Sequence, residues 1–281
     1  MINAGLILEG GGMKGVYTAG VLDFFLEKNI EFSSCYGVSA GACAMVSYIA
    51  KQKKRAYRVL TNYLDDKRYM GVYSFLSTGD LFDVKTCYDL IPNYLDPVDY
   101  DTFYRYQGKA YAVVTNIMTG KPEYHRVDLE DREMISVRAS ASLPLVSRNV
   151  MIHHIPYLDG GISDSIPIRK SIADGNRKNI IVLTKDAGYV RKPAKYISLF
   201  KLRYAAYPKV AELMKNRHNA YNETMQFIEE MEKKGEVFVI RPSKELAISR
   251  TEKDAGKLQE MYCLGYQDAK EAYESMMQYL N

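Results

Sequence analysis

The chain has 281 residues, of which 26% are charged and 47% belong to the hydrophobic set. These proportions are ordinary for a globular protein and exclude a disordered chain, a collagen-like fibre and a small scaffold held by disulfide bonds. The net charge of +4 at pH 7 is too small to indicate a nucleic-acid-binding protein.

The first fifty residues alternate between predicted strands and predicted helices. Residues 4–9 form a short apolar run that ends at three consecutive glycines, and residues 14–28 are apolar nearly all round, as in a helix that covers a sheet. A second strand is predicted at 32–36 and a second helix at about 40–51. This alternation indicates an α/β protein with a parallel sheet.

Later elements are more widely spaced. Strands are predicted at 110–117, 179–184 and 236–240, whereas residues 95–106, rich in Asp and Tyr and holding a proline, predict a loop. Apolar residues at helical spacing over 252–280 predict one long helix or two short ones. No internal repeat is found.

Cysteine spacing and hydropathy bear on the compartment. The four cysteines form no C-x-x-C pair, which indicates neither a zinc site nor a redox dithiol, and scattered thiols fit a reducing compartment. The first residues lack the basic region of a signal peptide, and no run of about 18 apolar residues exists. We therefore expect a cytoplasmic chain, whose contact with a membrane would be peripheral.

A basic segment, residues 191–217, stands apart from the rest of the chain. It holds eight basic residues and one acidic residue, Glu212, and is interleaved with apolar and aromatic side chains. One interpretation is an amphipathic surface that contacts an anionic membrane; the other is a solvated helix face with ordinary core anchors. Both interpretations remain open.

The glycine-rich sequence Gly10-Gly11-Gly12-Met13-Lys14-Gly15 lies at the first strand-to-helix turn. Such a turn directs backbone amides toward one point at a helix N-terminus, which suits an anion. The same residues also fit the dinucleotide fingerprint, which requires an acidic residue at the end of the second strand. Glu31 lies at the start of that strand, so the spacing disfavours a dinucleotide site.

Two further motifs carry candidate chemistry. Gly37-Val38-Ser39-Ala40-Gly41 has the pattern of a nucleophile elbow, in which a sharp turn exposes the serine hydroxyl. Asp159-Gly160-Gly161 follows a short apolar run. Ser39, Asp159 and His218 occur in the order of an ordinary α/β-hydrolase triad, but that elbow normally follows several strands, and His218 lies at the end of the basic segment, directly after residue 217. His153 and His154 are interpreted as structural or exposed.

Taken in order, the glycine-rich turn, the elbow, Ala139-Ser140-Ala141-Ser142-Leu143-Pro144 and Asp159-Gly160-Gly161 resemble the four sequence blocks of the patatin-like phospholipase family, in its bacterial branch. The resemblance covers roughly residues 6–183. It implies a three-layer α/β/α fold with a mostly parallel central sheet. It further implies one domain over 1–281, with a core of about 6–184 and a helical C-terminal extension, about 185–281, packed on it.

The resemblance also implies a Ser–Asp dyad with Ser39 as nucleophile and Asp159 as proton acceptor. An aspartate is a weak base at its ordinary pKa of about 3.9, so Asp159 must be desolvated and in contact with the hydroxyl. No metal or cofactor is implied, and the expected partner is a lipid or another acyl ester. The oxyanion-hole candidates are Gly10, Gly11, Gly12 and Met13, and the supporting residues are Lys14, Gly15, Gly37, Gly41, Gly160 and Gly161.

Several residues have a second interpretation. Lys14 could attract an anion or form a surface ion pair, and Asp164 is the alternative acid. Ser142 and Pro144 are expected to shape the pocket wall, and Met45 and Tyr48 to line an acyl pocket or, more simply, to fill the core. The expected function is hydrolysis of carboxylic ester bonds of lipids, as in phospholipase A or lysophospholipase. The competing hypothesis is a non-catalytic module that binds lipid or protein.

Overall fold

The computed structural model describes residues 1–129 and 131–281. In these ranges eight strands form one sheet in the order β5-β6-β3-β2-β1-β7-β8, and β4 pairs with β3 as well. The strands are β1 (Ile2–Leu8), β2 (Phe32–Val38), β3 (Lys109–Asn116), β4 (Lys121–Arg126), β5 (Val150–Ile152), β6 (Ile155–Asp159), β7 (Asn179–Val182) and β8 (Phe238–Ile240).

Helices cover the sheet and connect its strands. Among the described residues, none of them combines the length and the apolar character that crossing a membrane requires. A π-helix spans Thr86–Leu95. The α-helices are α1 (Gly15–Glu27), α2 (Ala40–Ile49), α3 (Arg55–Thr61), α4 (Val72–Thr78), α5 (Tyr100–Tyr104), α6 (Ile135–Ser140), α7 (Ile168–Ala173), α8 (Ile197–Arg203), α9 (Pro208–Lys233) and α10 (Ala255–Leu280).

The sheet is mostly parallel, as predicted. β1 pairs in parallel with β2 and β7, β2 with β3, and β7 with β8. The antiparallel pairs are confined to one end of the sheet, where β4 and β6 pair with β3 and β5 pairs with β6.

Each face of the sheet carries its own hydrophobic core. Because side chains alternate along a strand, Leu6 and Leu8 of β1 pack on one face and Ile7 on the other. The first face is covered by α1, α2 and α10, and the second by α9, whose Tyr221 and Ile228 pack around Ile7. This arrangement confirms the three-layer α/β/α fold.

One of the element predictions needs correction, and one open alternative is decided. Residues 95–106 do not form a loop throughout, since Asp99 accepts a hydrogen bond from the Thr102 amide at 2.9 Å and caps the short helix α5. Residues 252–280 resolve into a single helix, α10, which begins where the side chain of Asp254 accepts from the Lys257 amide at 3.1 Å.

Two strands meet end to end along one edge of β3. The opposite edge of β3 pairs with β4 through residues 111–116. The edge shared by the two strands pairs first with β2, which ends at Val38 opposite Val113. It then pairs with β6, whose Asp159 lies opposite Val114. The carboxyl ends of β2 and β6 therefore converge. β6 reaches this point because it runs antiparallel to β3 and enters from the carboxyl end of that strand.

Helix α10 packs closely on α1 through two glycines. A Cβ at Gly265 would lie 2.1 Å from the carbonyl oxygen of Tyr17, and one at Gly20 would lie 2.1 Å from that of Tyr262. Polar contacts flank the crossing, because the Tyr17 hydroxyl donates to Asp268 at 2.9 Å. The absence of side chains at the two glycines allows this helix of the C-terminal segment to lie directly on α1.

We expect Gly265→Ala to lower the free energy of unfolding by about 1–3 kcal/mol, because the added methyl group forces the two helices apart. Urea denaturation of the purified chain measures the change. Cys263→Ala, at an exposed position of the same helix, is the control and should alter stability by less than about 0.5 kcal/mol. Equal stability of Gly265→Ala and the wild type would contradict this account of the packing.

Candidate active site

Ser39 occupies a strained turn between β2 and α2. Its backbone has φ of 55° and ψ of −122°, a conformation that costs a residue with a side chain about 1–3 kcal/mol. The turn is held because the Ser39 amide donates to Oγ of Ser140 at 2.9 Å. This geometry is that of the nucleophile elbow that the motif predicts.

The motif glycines permit close approach of the elbow to its neighbours. At Gly41, a Cβ would lie 2.4 Å from the carbonyl oxygen of Leu8, so α2 could not start beside β1 with a larger residue there. An added Cβ would likewise lie less than 3.0 Å from a neighbouring atom at Gly10, Gly15, Gly37 and Gly160.

Asp159, the last residue of β6, is 1% exposed and well anchored. Its Oδ1 accepts a hydrogen bond from the Gly161 amide at 2.7 Å. Its carbonyl oxygen accepts from Thr115 Oγ1 at 2.8 Å, and its amide donates to the Ser142 carbonyl at 2.9 Å. Its Oδ2 is buried without a hydrogen-bond partner among the described residues. The carboxyl group therefore keeps one oxygen available.

Burial raises the pKa of Asp159 above its ordinary value. Arg217 opposes this rise, and so does the Ser39 side chain, which lies close enough to act on the carboxyl group. A carboxylate with a raised pKa is a stronger base than an exposed one. The elbow thus places the Ser39 hydroxyl near a buried carboxyl group of raised pKa.

The glycine-rich turn lies against Ser39. Gly10, Gly11 and Gly12 line the same cavity as Ser39, and the amides of Gly11 and Gly12 make no hydrogen bond to any residue described. The Met13 amide differs, because it donates to the Arg250 carbonyl at 3.1 Å. The Met13 amide is therefore occupied in this structure, whereas those of Gly11 and Gly12 are not.

Two charged residues of the motif region lie apart from the reacting groups. Lys14 is half-buried, and no acidic residue in the described ranges forms an ion pair with it. Glu31 pairs with Lys51, and its carbonyl accepts from the Ile2 amide at the amino end of the sheet. An acid at that end cannot reach a ligand at the glycine-rich turn, which agrees with the argument against a dinucleotide site.

The alternative catalytic residues do not line the site. Asp164 accepts from the Tyr124 hydroxyl at 2.7 Å, and burial raises its pKa. His153 and His154 form the turn between β5 and β6. His218 lies on α9 and lines neither of the two cavities at Ser39. The geometry therefore does not assemble the triad of Ser39, Asp159 and His218.

An apolar cavity of about 150 Å³ extends from Ser39. Met45 and Tyr48 lie in the core and not in its wall. Ser142 points back to the Arg138 carbonyl, to which its hydroxyl donates at 2.8 Å. The lining comes mainly from α2, α3 and the π-helix and includes Met13, Cys43, Ala44, Val59, Leu60, Tyr69, Phe82, Ile91, Val137 and Leu143.

A second, polar cavity adjoins Ser39 on the side of Asp159. Apart from Asp159, its charged residues were not assigned to the site by sequence reasoning, although position gives a signal for two of them. Glu9 directly follows β1 and Lys185 comes soon after β7, and parallel strands carry functional residues at their carboxyl ends. The charged residues of this cavity are Glu9, Asp159, Lys185, Arg191, Arg217 and Arg250.

Glu9 is fully engaged in this polar cavity. Its Oε2 accepts from the Thr184 amide at 2.7 Å, and its Oε1 accepts from the Tyr221 hydroxyl at 2.9 Å. Within the described ranges, no three His, Cys, Asp or Glu residues are grouped so that they could hold a metal ion.

Two sequence relatives span much of the chain. YjjU of Escherichia coli K12, described as an uncharacterized protein, is 27% identical over 265 residues, covering 92% of this chain and 74% of that protein. A protein described as probable lipid hydrolase 463L, from Invertebrate iridescent virus 6, is 24% identical over 192 residues. That match covers 62% of this chain and 65% of the viral protein.

Among solved structures, VipD from Legionella pneumophila has a TM-score of 0.49 and 13% sequence identity, covering 98% of this chain and 67% of that one. Residues 207–281 match a domain of unknown function, DUF6363. Residues 6–171 match the family described as patatin-like phospholipase, and this match includes both Ser39 and Asp159. The chain therefore belongs to the patatin-like phospholipase family.

Proposed function

We propose that the chain is a serine acyl hydrolase that cleaves carboxylic ester bonds of lipids, with Ser39 as nucleophile and Asp159 as base. The observation that carries the proposal is the convergence of β2 and β6. It brings a serine in a strained elbow next to a buried carboxyl group with one unpartnered oxygen. Family membership and the viral lipid hydrolase relative support the same class of reaction.

In the first half of the reaction, Ser39 Oγ attacks the carbonyl carbon of the ester while Asp159 accepts the hydroxyl proton. The carbonyl oxygen becomes an oxyanion. The bond between the carbon and the leaving oxygen then breaks, and the proton passes from Asp159 to the leaving alcohol. In the second half, water attacks the acyl-serine, Asp159 accepts its proton and returns it to Ser39 Oγ, and the fatty acid leaves.

The amides of Gly11 and Gly12 are the proposed donors to the oxyanion. They line the cavity with Ser39 and are free of other hydrogen bonds to the described residues. Preorganised donors of this kind are among the largest contributions to acyl-transfer catalysis. The N-terminus of α2, which begins at Ala40, adds positive potential at the same point.

The apolar cavity is the proposed acyl-chain site. It begins at Ser39, so a chain held there places its ester carbonyl at the nucleophile. We also propose that the chain acts as one domain, with the C-terminal extension packed on the core, since α10 lies directly on α1.

Reaction of the wild-type chain with a fluorophosphonate probe tests the proposal, because such probes label only an activated serine. A folded chain that remains unlabelled contradicts it.

A peripheral contact with anionic membranes is proposed for α8. The basic segment 191–217 divides in the structure, because Arg191 and Arg217 line the polar cavity. Phe200 is buried and anchors α8. The exposed face of α8 and the residues before it carries apolar and basic side chains together: Lys195, Tyr196, Leu199, Lys201, Leu202 and Arg203.

We expect the wild-type chain to pellet with phosphatidylcholine vesicles that contain phosphatidylglycerol, and added salt to weaken this binding. Reversing both charges with Lys201→Glu and Arg203→Glu should weaken it about tenfold or more, since each basic residue near an anionic surface contributes about 1 kcal/mol. Lys233→Glu with Lys234→Glu, exposed at the end of α9, is the matched control. Binding that is absent, or insensitive to salt, argues against this contact.

A further inference from the structure

Four cationic side chains converge on the small polar cavity beside Ser39. They face two carboxyl groups, those of Glu9 and Asp159, so positive charge is in excess. In the described part of the chain none of the four forms an ion pair with an acidic side chain. The four cations are Lys185, Arg191, Arg217 and Arg250.

Arg191 is held in place before any ligand arrives. Its amide donates to Asn222 Oδ1 at 2.9 Å, and its carbonyl accepts from Asn222 Nδ2 at 3.1 Å. Its guanidinium lies 4.2 Å from the centre of the Tyr221 ring. Its Nε is buried without a hydrogen-bond partner among the described residues. A fixed and unsatisfied donor of this kind is costly unless a ligand accepts from it.

Burial and neighbouring positive charges lower the pKa values of Lys185 and Arg217. Burial lowers the pKa of Lys185, and Arg250 and Arg191 act in the same direction while Glu9 opposes them, so that the pKa lies at about 8. Burial likewise lowers the pKa of Arg217, with Arg191 acting in the same direction. Arg217 Nε donates to the Gly161 carbonyl at 2.6 Å, which fixes its guanidinium beside Asp159. A bound anion would relieve this repulsion.

We propose that this cavity binds the phosphate monoester head group of the ester substrate. The inference rests on the proposed function and names the substrate class for the same site. The cavity is small, with a volume of about 30 Å³, which favours a compact anion over a bulky one. A phosphate monoester carries about two negative charges at neutral pH, matching the excess of cations. A zwitterionic head group would add an ammonium ion to a site that is already cationic.

The two cavities at Ser39 then hold the two ends of one molecule. Ser39, Gly12 and Leu143 line both cavities, so an acyl chain in the apolar one places the ester at Ser39 and the polar end among the cations. All four cations follow residue 171, beyond the region that matches the family. Head-group selection is therefore supplied by the later part of this chain.

The experiment compares kcat/KM for three monomeric substrates with one short acyl chain: 1-octanoylglycerol 3-phosphate, 1-octanoyl-glycero-3-phosphocholine and 1-octanoylglycerol. We expect the wild type to prefer the phosphate monoester to each of the others by about tenfold or more, because charge-assisted hydrogen bonds are the strong ones. Arg191→Gln should reduce this ratio about tenfold. Arg250→Gln, at an exposed side chain, should reduce it as well and serves if Arg191→Gln does not fold.

Arg177→Gln is the matched control. Arg177 is exposed and precedes β7 at the amino end of the sheet, whereas Lys185 comes after the carboxyl end of that strand. The control should keep the wild-type ratio of kcat/KM. Use of ratios separates head-group binding from any general loss of activity in a variant.

The outcomes separate this inference from the proposed function. Hydrolysis of all three substrates without preference overturns the head-group assignment and leaves the hydrolase proposal standing. No hydrolysis of these substrates and no fluorophosphonate labelling removes the hydrolase proposal. Inhibition by millimolar inorganic phosphate without preference among the substrates assigns the cavity to a free anion and overturns its role in binding substrate.

Discussion

Ser39→Ala should abolish both fluorophosphonate labelling and ester hydrolysis. The hydroxyl oxygen is the atom that forms the acyl bond in the proposed reaction, and no other hydroxyl in the described site occupies an elbow. We expect the rate of p-nitrophenyl ester hydrolysis to fall by at least about 10³-fold, since the loss of a nucleophile removes the covalent pathway. Labelling followed by gel fluorescence and steady-state kinetics measure the two effects.

Stability provides the control for Ser39→Ala. Alanine has the same backbone preferences as serine and keeps the positive φ of 55°, so its thermal midpoint should stay near that of the wild type. Ser39→Gly, in contrast, should raise the midpoint, because glycine adopts this conformation without strain. If Ser39→Ala retains labelling, the nucleophile is another residue.

The same variant separates catalysis from binding. A non-catalytic module on this fold would keep its ligand affinity and its cellular role after Ser39→Ala, and its wild type would not react with the probe. The hydrolase proposal requires the opposite result for reactivity.

Asp159→Asn should lower kcat for a p-nitrophenyl ester by about 10²–10⁴-fold, the usual contribution of a positioned general base. The amide has nearly the shape of the carboxyl group but cannot accept the Ser39 proton. Because burial raises the pKa of Asp159, the wild-type rate should rise with pH through that raised pKa and level off above it. This rise should be absent in Asp159→Asn, and a pH–rate profile measures it.

A measurement of folding stability tests whether Asp159→Asn loses activity only because it unfolds. A carboxyl group whose pKa is raised by folding opposes the folded state above its unfolded pKa, where it is ionised. The Asp159→Asn variant, which carries a neutral amide, should therefore unfold at a urea concentration no lower than that of the wild type at pH 7. His218→Ala should leave kcat nearly unchanged, because His218 lines neither cavity. If His218→Ala instead lowers kcat as strongly as expected for Asp159→Asn, the triad mechanism replaces the dyad.

Much of the site could be predicted from local sequence. The glycine-rich turn and the elbow each lie where a strand gives way to a helix within a few residues, so periodicity and glycine placement suffice to locate them. The alternation over the first fifty residues likewise determined a parallel α/β fold. Each helix is long enough to return the chain to the end of the sheet where the previous strand began, so the next strand runs parallel to it.

Other parts of the site depend on contacts between distant segments. Met13 belongs to the glycine-rich motif, yet its amide is occupied by the carbonyl of Arg250, more than two hundred residues later. Both interpretations of the basic segment 191–217 placed its charges at the surface, but Arg191 and Arg217 line the polar cavity. Charge counting along the chain cannot separate these residues from the exposed ones, because the face of each side chain is set by packing.

The alternation of predicted strands and helices determined a parallel α/β fold, and the family resemblance carried by the four motifs named Ser39 and Asp159 as candidates. Only the tertiary structure decided how these two residues meet. β6 runs antiparallel to β3 and ends opposite Val114, one residue beyond the point where β2 ends opposite Val113. Strand direction and register arise from pairing between segments distant in sequence: Val38 pairs with Val113, and Val114 with Asp159. A local pattern of apolar residues does not determine such pairing.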